Sequence, residues 1–311
     1  MNNHDKKYIF VNLPTWLGDA VMCSAALKAL FAHFKDYHFV LFGSFVSCEL
    51  FKDLQNVSIE LENKKKRYLN YIKFAKKYKF DYAFSLRSAA SARILLFLLR
   101  TKKRYVYNKY KHQDKHQVLR YIKFIEESLN IDIEDKELFL PFKKIKSDKK
   151  LLGISAGAKY GEAKRWEPSY FASSALSLKD THTILLFGSK EELELNKSIE
   201  EELLKGGARV VNLCGKTSIK ELCEHISSLD LLLCNDSGAM HIGAVYKIKT
   251  AAVFGPTNFT KTSPWLNENA RLLHLNLPCM PCMKRICPLK HNACMRDLKP
   301  DFVISVLKDL V

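Results

Sequence analysis

Residues 231–234, Leu-Leu-Leu-Cys, form a continuous apolar run. An apolar residue at every position, bounded so tightly, means a strand covered on both faces, as in parallel sheets. The run stops at Asn235-Asp236-Ser237-Gly238, a small-residue turn whose Asp or Ser can cap a helix starting near Ala239, with His241 in its first turn. A second apolar stretch, residues 250–254, ends in a similar turn, Gly255-Pro256-Thr257-Asn258. The first backbone N–H groups of a helix are unpaired and its dipole is positive there, so such a junction attracts anions. In open α/β sheets ligands sit at these carboxyl ends of strands. The stretch is therefore read as a nucleotide-diphosphate site.

The same alternation runs through the whole chain. Strands are expected at 8–13, 38–42, 58–61, 82–85 and 104–107, with helices at 19–34, 69–78, 89–98 and 116–129. A lysine-rich connector, 141–150, follows, and the pattern restarts. Strands are expected at 151–155, 183–187, 210–213, 231–234 and 250–254, and helices at 168–176, 191–205, 219–227 and 301–310. Two such sets predict an α/β protein of two doubly wound domains, 1–147 and 148–311.

Composition narrows the class. With 47% hydrophobic residues the chain can build cores, yet no apolar run nears the ~20 residues of a membrane span. The start, MNNHDKKYIFVNL, leads straight into a strand without a signal-peptide core, so a cytoplasmic location is expected. Residues 1–150 hold 30 Lys and Arg against 16 Asp and Glu, whereas the rest holds 20 against 17. The first half either faces something anionic (nucleic acid, a membrane surface, a phosphorylated substrate) or carries solvated basic helix faces. No zinc-finger, RRM or KH signature is present, which argues against nucleic acid as the partner.

Several residues could carry chemistry. Asp19, in the turn after the first strand, reads as a helix N-cap or as a carboxylate placed to take a proton from a hydroxyl. Ser155-Ala156-Gly157-Ala158 followed by Lys164-Arg165-Trp166 suits a pyrophosphate, through backbone N–H groups and adjacent cations; an ordinary basic loop reads the same way. Asp236 and His241 could equally be a cap and a satisfied core histidine, and Ser237 lacks the elbow a hydrolase nucleophile needs. Arg87 and Ser88, after the 82–85 strand, are weaker candidates for an acceptor's acidic groups, and Glu191 for ribose hydroxyls. Cys23, Cys48, Cys214, Cys223 and Cys234 read as small core residues. Cys279-x2-Cys282-x4-Cys287-x6-Cys294, with His291 inside, reads as a packed thiol-rich loop, a metal knuckle of non-standard spacing, or disulfides.

Taken together, Leu13-Pro14-Thr15-Trp16-Leu17-Gly18-Asp19, Gly157-x6-Lys164-Arg165-Trp166-x-Pro168, Asn235-Asp236-Ser237-Gly238-x2-His241 and Phe254-Gly255-Pro256-Thr257 resemble glycosyltransferase family 9, the ADP-heptose:lipopolysaccharide heptosyltransferases, in content and order. The cysteine segment is most like the heptosyltransferase II branch. The resemblance spans residues from about 8 to 300. It implies a GT-B architecture, two Rossmann-like domains facing a cleft, with the last helix, 301–310, crossing back to the first domain. The donor would be ADP-L-glycero-β-D-manno-heptose, on the second domain. The acceptor would be the first heptose of the lipid A–Kdo–heptose core at the inner leaflet of the inner membrane, on the basic first domain. The basic first half suits that anionic acceptor. The expected protein is a monomer in peripheral membrane contact, inverting, with no cofactor and no metal; heptosyltransferases I and III share the donor motifs. By the same resemblance Asp19 is the general base. The resemblance also implies that Lys164, Asp236, Ser237, Gly238 and His241 contact the donor diphosphate. Gly157, Arg165 and Thr257, and Glu191 by its place after a strand end, are assigned to the donor as well, and Trp16, Arg87 and Ser88 to the acceptor.

Overall fold

The computed structural model describes residues 7–311, which form two units, one ending at Pro141 and the other beginning at Phe142. Residues 1–6, read in the sequence as leading straight into the first strand, lie outside the described residues.

The first unit runs β1 (Tyr8–Asn12), α1 (Leu17–Met22), α2 (Ser24–His33), β2 (His38–Gly43), α3 (Phe45–Glu49), β3 (Val57–Leu61), α4 (Arg67–Lys77), β4 (Lys79–Ser85), α5 (Ala90–Leu98), β5 (Arg100–Val106) and α6 (Gln117–Leu129). Every strand pair is parallel and the order is β3-β2-β1-β4-β5. The order reverses between β1 and β4, and a doubly wound sheet opens its ligand crevice at such a point. Helices α4 and α5 lie side by side on one face of this sheet. Tyr71, Phe74 and Ala75 of α4 share a core with Leu95 and Leu96 of α5 and with Phe10, Val40 and Phe42 of the strands.

The second unit runs β6 (Leu151–Ser155), α7 (Pro168–Leu176), β7 (Thr183–Leu186), α8 (Leu193–Lys205), β8 (Val210–Asn212), α9 (Ile219–Ser227), β9 (Leu231–Asn235), α10 (Gly238–Val245), β10 (Lys249–Val253), α11 (Phe259–Thr262), β11 (Ala270–Leu273), α12 (Ala293–Arg296) and α13 (Pro300–Leu310). Its parallel order, β11-β10-β9-β6-β7-β8, reverses between β6 and β9. Both of those strands are buried at every residue, which is why each is apolar up to its last residue, Ser155 or Asn235.

The doubly wound α/β class is what the structure has, but local boundaries moved. The helix expected over 19–34 starts earlier and breaks at Cys23 into α1 and α2. α3, α11, α12 and β11 are additional: all are short, and β11 is an edge strand whose Arg271 interrupts its apolar pattern. The unit boundary falls at 141/142 rather than 147/148 because Lys144 and Ile145 already bond to Tyr246 and Ser227 of the second unit. α13, expected to return to the first domain, packs on α7 and β10 through Val303, Leu307 and Leu310, which are buried in the second unit's core.

Candidate functional site

The junction between β6 and β9 is built by register. Ser155 pairs with Cys234, so Ala156-Gly157 and Asn235-Asp236 leave the sheet side by side. Asn235, wholly buried, locks both turns: its Nδ2 donates to the Ala156 carbonyl at 2.6 Å, and its Oδ1 accepts from the Trp166 N–H at 3.2 Å. The indole of Trp166 is also fully buried, and its Nε1–H finds the Leu298 carbonyl at 2.8 Å. The loop between Gly157 and Trp166 is thereby pinned at both ends and turns Lys164 back over the strand end.

Lys164 Nζ lies 2.5 Å from Asp236 Oδ2, with only 11% and 5% of the two side chains exposed. Thr257 Oγ1, from the turn after β10, donates to the same carboxylate oxygen at 2.6 Å. The face of the Tyr160 ring covers the ammonium, with Nζ 4.8 Å from the centroid. Burying either charge alone would be costly; together, with a hydroxyl donor, they are satisfied. Beside them α10 begins. Ser237 is its N-cap residue, but its side chain makes no capping bond, and its buried Oγ has no hydrogen-bond partner among the described residues. Asp236 is not the cap either, being held by Lys164 and Thr257. The first-turn N–H groups of Gly238 and Ala239 have no carbonyl within α10 to pair with. The buried Nε of Arg165 also has no partner among the described residues, and His241 is buried inside α10.

Glu191, expected near the ribose, instead pairs at the surface with Lys159 at 3.4 Å, while its neighbour Glu192 reaches the turn. A Cβ on Gly157 would stand 1.9 Å from Glu192 Oε1, so glycine there lets the carboxylate close over the turn. Glu192 Oε2 accepts from the Ser189 N–H at 2.7 Å in a capping box. The Ser189-x-x-Glu192 spacing was the sequence signal that could have found it.

The cysteine segment braces this site. Tyr160 Oη donates to the Met283 carbonyl at 2.8 Å, Ala163 N–H to the Arg285 carbonyl at 3.1 Å, and Met283 N–H to the Pro256 carbonyl at 2.8 Å. It thus ties the Lys164 loop to the Thr257 turn. Cys279, Cys282, Cys287 and Cys294 line one small apolar cavity with Ala163 and Pro256. All nine cysteines are free, and no three His, Cys, Asp or Glu among the described residues are grouped to hold a metal ion. The N–H of Asn292, and then those of Leu289, His291 and Lys290, outweigh burial at Cys287 and lower its thiol from the ordinary range. Burial, then the neighbouring thiols, pushes Cys294 up to about 11. Cys23, Cys48, Cys214, Cys223 and Cys234 are buried core residues, as the sequence reading has them.

In the first unit, Asp19 is the third residue of α1 and not its N-cap; Trp16 holds that position and exposes its indole. Ser44 and Ser47 fix the loop before it, donating to the Thr15 and Pro14 carbonyls at 2.7 and 2.5 Å. Burial raises the phenols of Tyr107 and Tyr121; the Asp19 charge adds to it next at Tyr121, and at Tyr107 only after the Gln117 bond and the Arg120 charge, which oppose it; nothing in the sequence pointed to these two tyrosines. Across the crevice, Asn12 Nδ2 donates to Ser85 Oγ at 3.2 Å, linking β1 to β4. Arg87 follows, but its Nη1 is committed to Glu62 at 2.9 Å, and Ser88 precedes α5. Glu62, its side chain 1% exposed, also meets Arg67 at 3.4 Å and the Tyr71 hydroxyl at 2.7 Å. Burial alone would raise its carboxyl, but hydrogen bonds from Tyr71 and Arg87 and the charges of Arg87 and Arg67 hold it below the ordinary value.

Two doubly wound sheets, the second with a lysine and a helix start converging at its switch point, define a two-domain Rossmann-like protein whose second switch point has the features that favour an anion. Sequence comparison gives the family. The model of glycosyltransferase family 9 (heptosyltransferase) matches residues 77–293. The chain is 52% identical to lipooligosaccharide heptosyltransferase 2 of Campylobacter jejuni over 311 residues, covering 97% of this chain and 98% of the relative. It is 28% identical to lipopolysaccharide heptosyltransferase 2 of Escherichia coli over 169 residues, 54% of this chain and 48% of that one. Among solved structures, that of E. coli ADP-heptose LPS heptosyltransferase II superposes with a TM-score of 0.78 at 20% identity, covering 97% and 98% of the two chains. The chain belongs to glycosyltransferase family 9.

Proposed function

We propose that the protein is a heptosyltransferase II: it transfers L-glycero-D-manno-heptose from ADP-heptose to the first heptose of the lipooligosaccharide inner core, with inversion and without a metal ion. The observation that carries the donor side is the Lys164–Asp236–Thr257 cluster beside the start of α10. The 52% identity along nearly the whole chain supports the choice of sugar and acceptor.

In this reading the diphosphate lies across Gly157 and the first turn of α10. Lys164 and Arg165 contact its oxygens, Ser237 Oγ and the N–H groups of Gly238 and Ala239 donate to them, and Glu192 rather than Glu191 meets the ribose. Asp19 takes the proton from the acceptor hydroxyl. That oxygen attacks the anomeric carbon opposite the leaving group, the bond from carbon to the phosphate oxygen breaks, and the β-linked donor gives an α-linked product. The new negative charge on ADP meets Lys164 and the α10 N–H groups, fixed donors worth on the order of 10²–10³ in rate. The enzyme works at the cytoplasmic face of the inner membrane, where its glycolipid acceptor lies.

The test is the linkage formed from ADP-heptose and a one-heptose acceptor with excess EDTA, read by NMR. An α linkage formed at an undiminished rate is expected. A β linkage, or a rate abolished by EDTA and restored by a divalent ion, would overturn the inverting, metal-independent mechanism.

A further inference from the structure

One face of the first unit is chemically unlike the rest of the surface. Residues 63–79 and 86–105 contain 14 Lys and Arg and no Asp or Glu; four of these cations, Arg67, Lys77, Arg87 and Lys102, pair with Glu62, Glu60 and Asp81 from outside the two segments. They include α4 and α5, which pack side by side and bury Tyr71, Phe74, Leu95 and Leu96 inward. Their outward sides should be polar on a helix that faces only water. Instead Phe97 is 80% exposed, Leu69 56%, Tyr68 53%, Ile72 43% and Ile94 40%. Lys64, Lys65, Lys66, Lys73, Lys76 and Arg93 are exposed among them.

We infer that the outer face of α4 and α5 docks the enzyme on the anionic surface of a lipid bilayer, with Phe97, Leu69, Tyr68, Ile72 and Ile94 entering the headgroup region and the surrounding lysines meeting acidic headgroups. Charge selects this occupant. The exposed cations Lys64, Lys65, Lys66, Lys73, Lys76 and Arg93, on segments that carry no acidic residue of their own, suit a surface of uniform negative charge, and aliphatic and phenyl groups standing clear of it gain only where apolar matter lies beyond the charge. Nucleic acid would match the lysines but would leave Leu69, Ile72 and Ile94 without a role. The orientation also serves the chemistry. α4 and α5 both begin near the Glu62–Arg87 ion pair at the carboxyl end of the first sheet, the end that carries Asp19. The inference rests on the reading that the acceptor is a membrane glycolipid.

The test is co-sedimentation of the whole protein with vesicles containing no acceptor, either phosphatidylcholine alone or phosphatidylcholine with phosphatidylglycerol. Turnover on a deacylated, water-soluble acceptor is measured in parallel. Binding to the anionic vesicles is expected, weakened at least about 10-fold in Leu69→Ser/Phe97→Ser and in Lys73→Glu/Lys76→Glu, with soluble turnover unchanged in both. Absence of binding by the wild type, equal binding to neutral vesicles, or wild-type binding by both variants would overturn the docking face. A concentration-dependent dimer broken by the same substitutions would also overturn it, in favour of a contact between copies. No turnover on the soluble acceptor would count against the proposed function instead, and the vesicle result would be read separately from it.

Discussion

Lys164→Met separates the structural from the chemical role of the buried pair. Asp236 keeps its Thr257 bond, but its carboxylate, 5% exposed, loses its only ion-pair partner among the described residues. Breaking a buried pair on one side costs about 3–5 kcal/mol, because the remaining charge is left uncompensated. Lys164 is not wholly buried and Thr257 remains, so the lower end, about 3 kcal/mol, is expected. In a unit of this size that is a fall in Tm of about 6–12 °C. The double variant Lys164→Met/Asp236→Asn leaves no buried charge and should recover at least half of the loss, a coupling that a double-mutant cycle measures directly. Activity should behave differently. ADP release should drop about 10²–10³-fold in the single variant and stay there in the double, since neither has the Lys164 ammonium to meet the charge on the departing phosphate. Thermal unfolding and a coupled ADP assay on the three proteins decide it. An unchanged Tm in the single variant would refute the pairing argument, and recovery of turnover together with stability would refute the catalytic one.

Other expectations follow from the same geometry. Asp19→Asn should lower turnover about 10²–10⁴-fold while leaving ADP affinity, measured by calorimetry, unchanged, because the residue acts on the acceptor. Glu62 binds its proton more weakly in the folded protein than in the unfolded chain, so it stabilises at neutral pH and that contribution fades as pH falls below about 4.5. The stability gap between wild type and Glu62→Gln in denaturant titrations should therefore be widest near neutrality and close in acid; a gap independent of pH would contradict the ion-pair assignment. Alkylation followed by mass spectrometry should label Cys287 first and Cys294 last within the cysteine segment, since the first thiol is lowered by backbone N–H groups and the second raised by burial.

The doubly wound fold was legible because fully buried parallel strands leave apolar runs, as in β6 and β9, and helix starts leave small-residue turns. The Lys164-Arg165-Trp166 and Asn235–His241 segments could be seen for the same reason. What the sequence could not supply was contact between distant turns. Nothing near Thr257 says that its hydroxyl meets Asp236, or near Tyr160 that its ring covers Lys164. Glu191 and Glu192 are adjacent, and only the capping box decides which one reaches Gly157. Arg87 looked available for an acceptor because its partner Glu62 is 25 residues away in the chain. The return of the last helix to the first domain was expected from the resemblance alone; in this chain Val303, Leu307 and Leu310 bury it in the second unit's core instead.

Transfer to the first heptose of the core is tested by ADP release from ADP-heptose with two lipid A–Kdo acceptors, one bearing no heptose and one bearing a single heptose. Turnover with the one-heptose acceptor alone is expected. Turnover with the heptose-free acceptor, or with neither by a protein that still binds ADP-heptose, would contradict it.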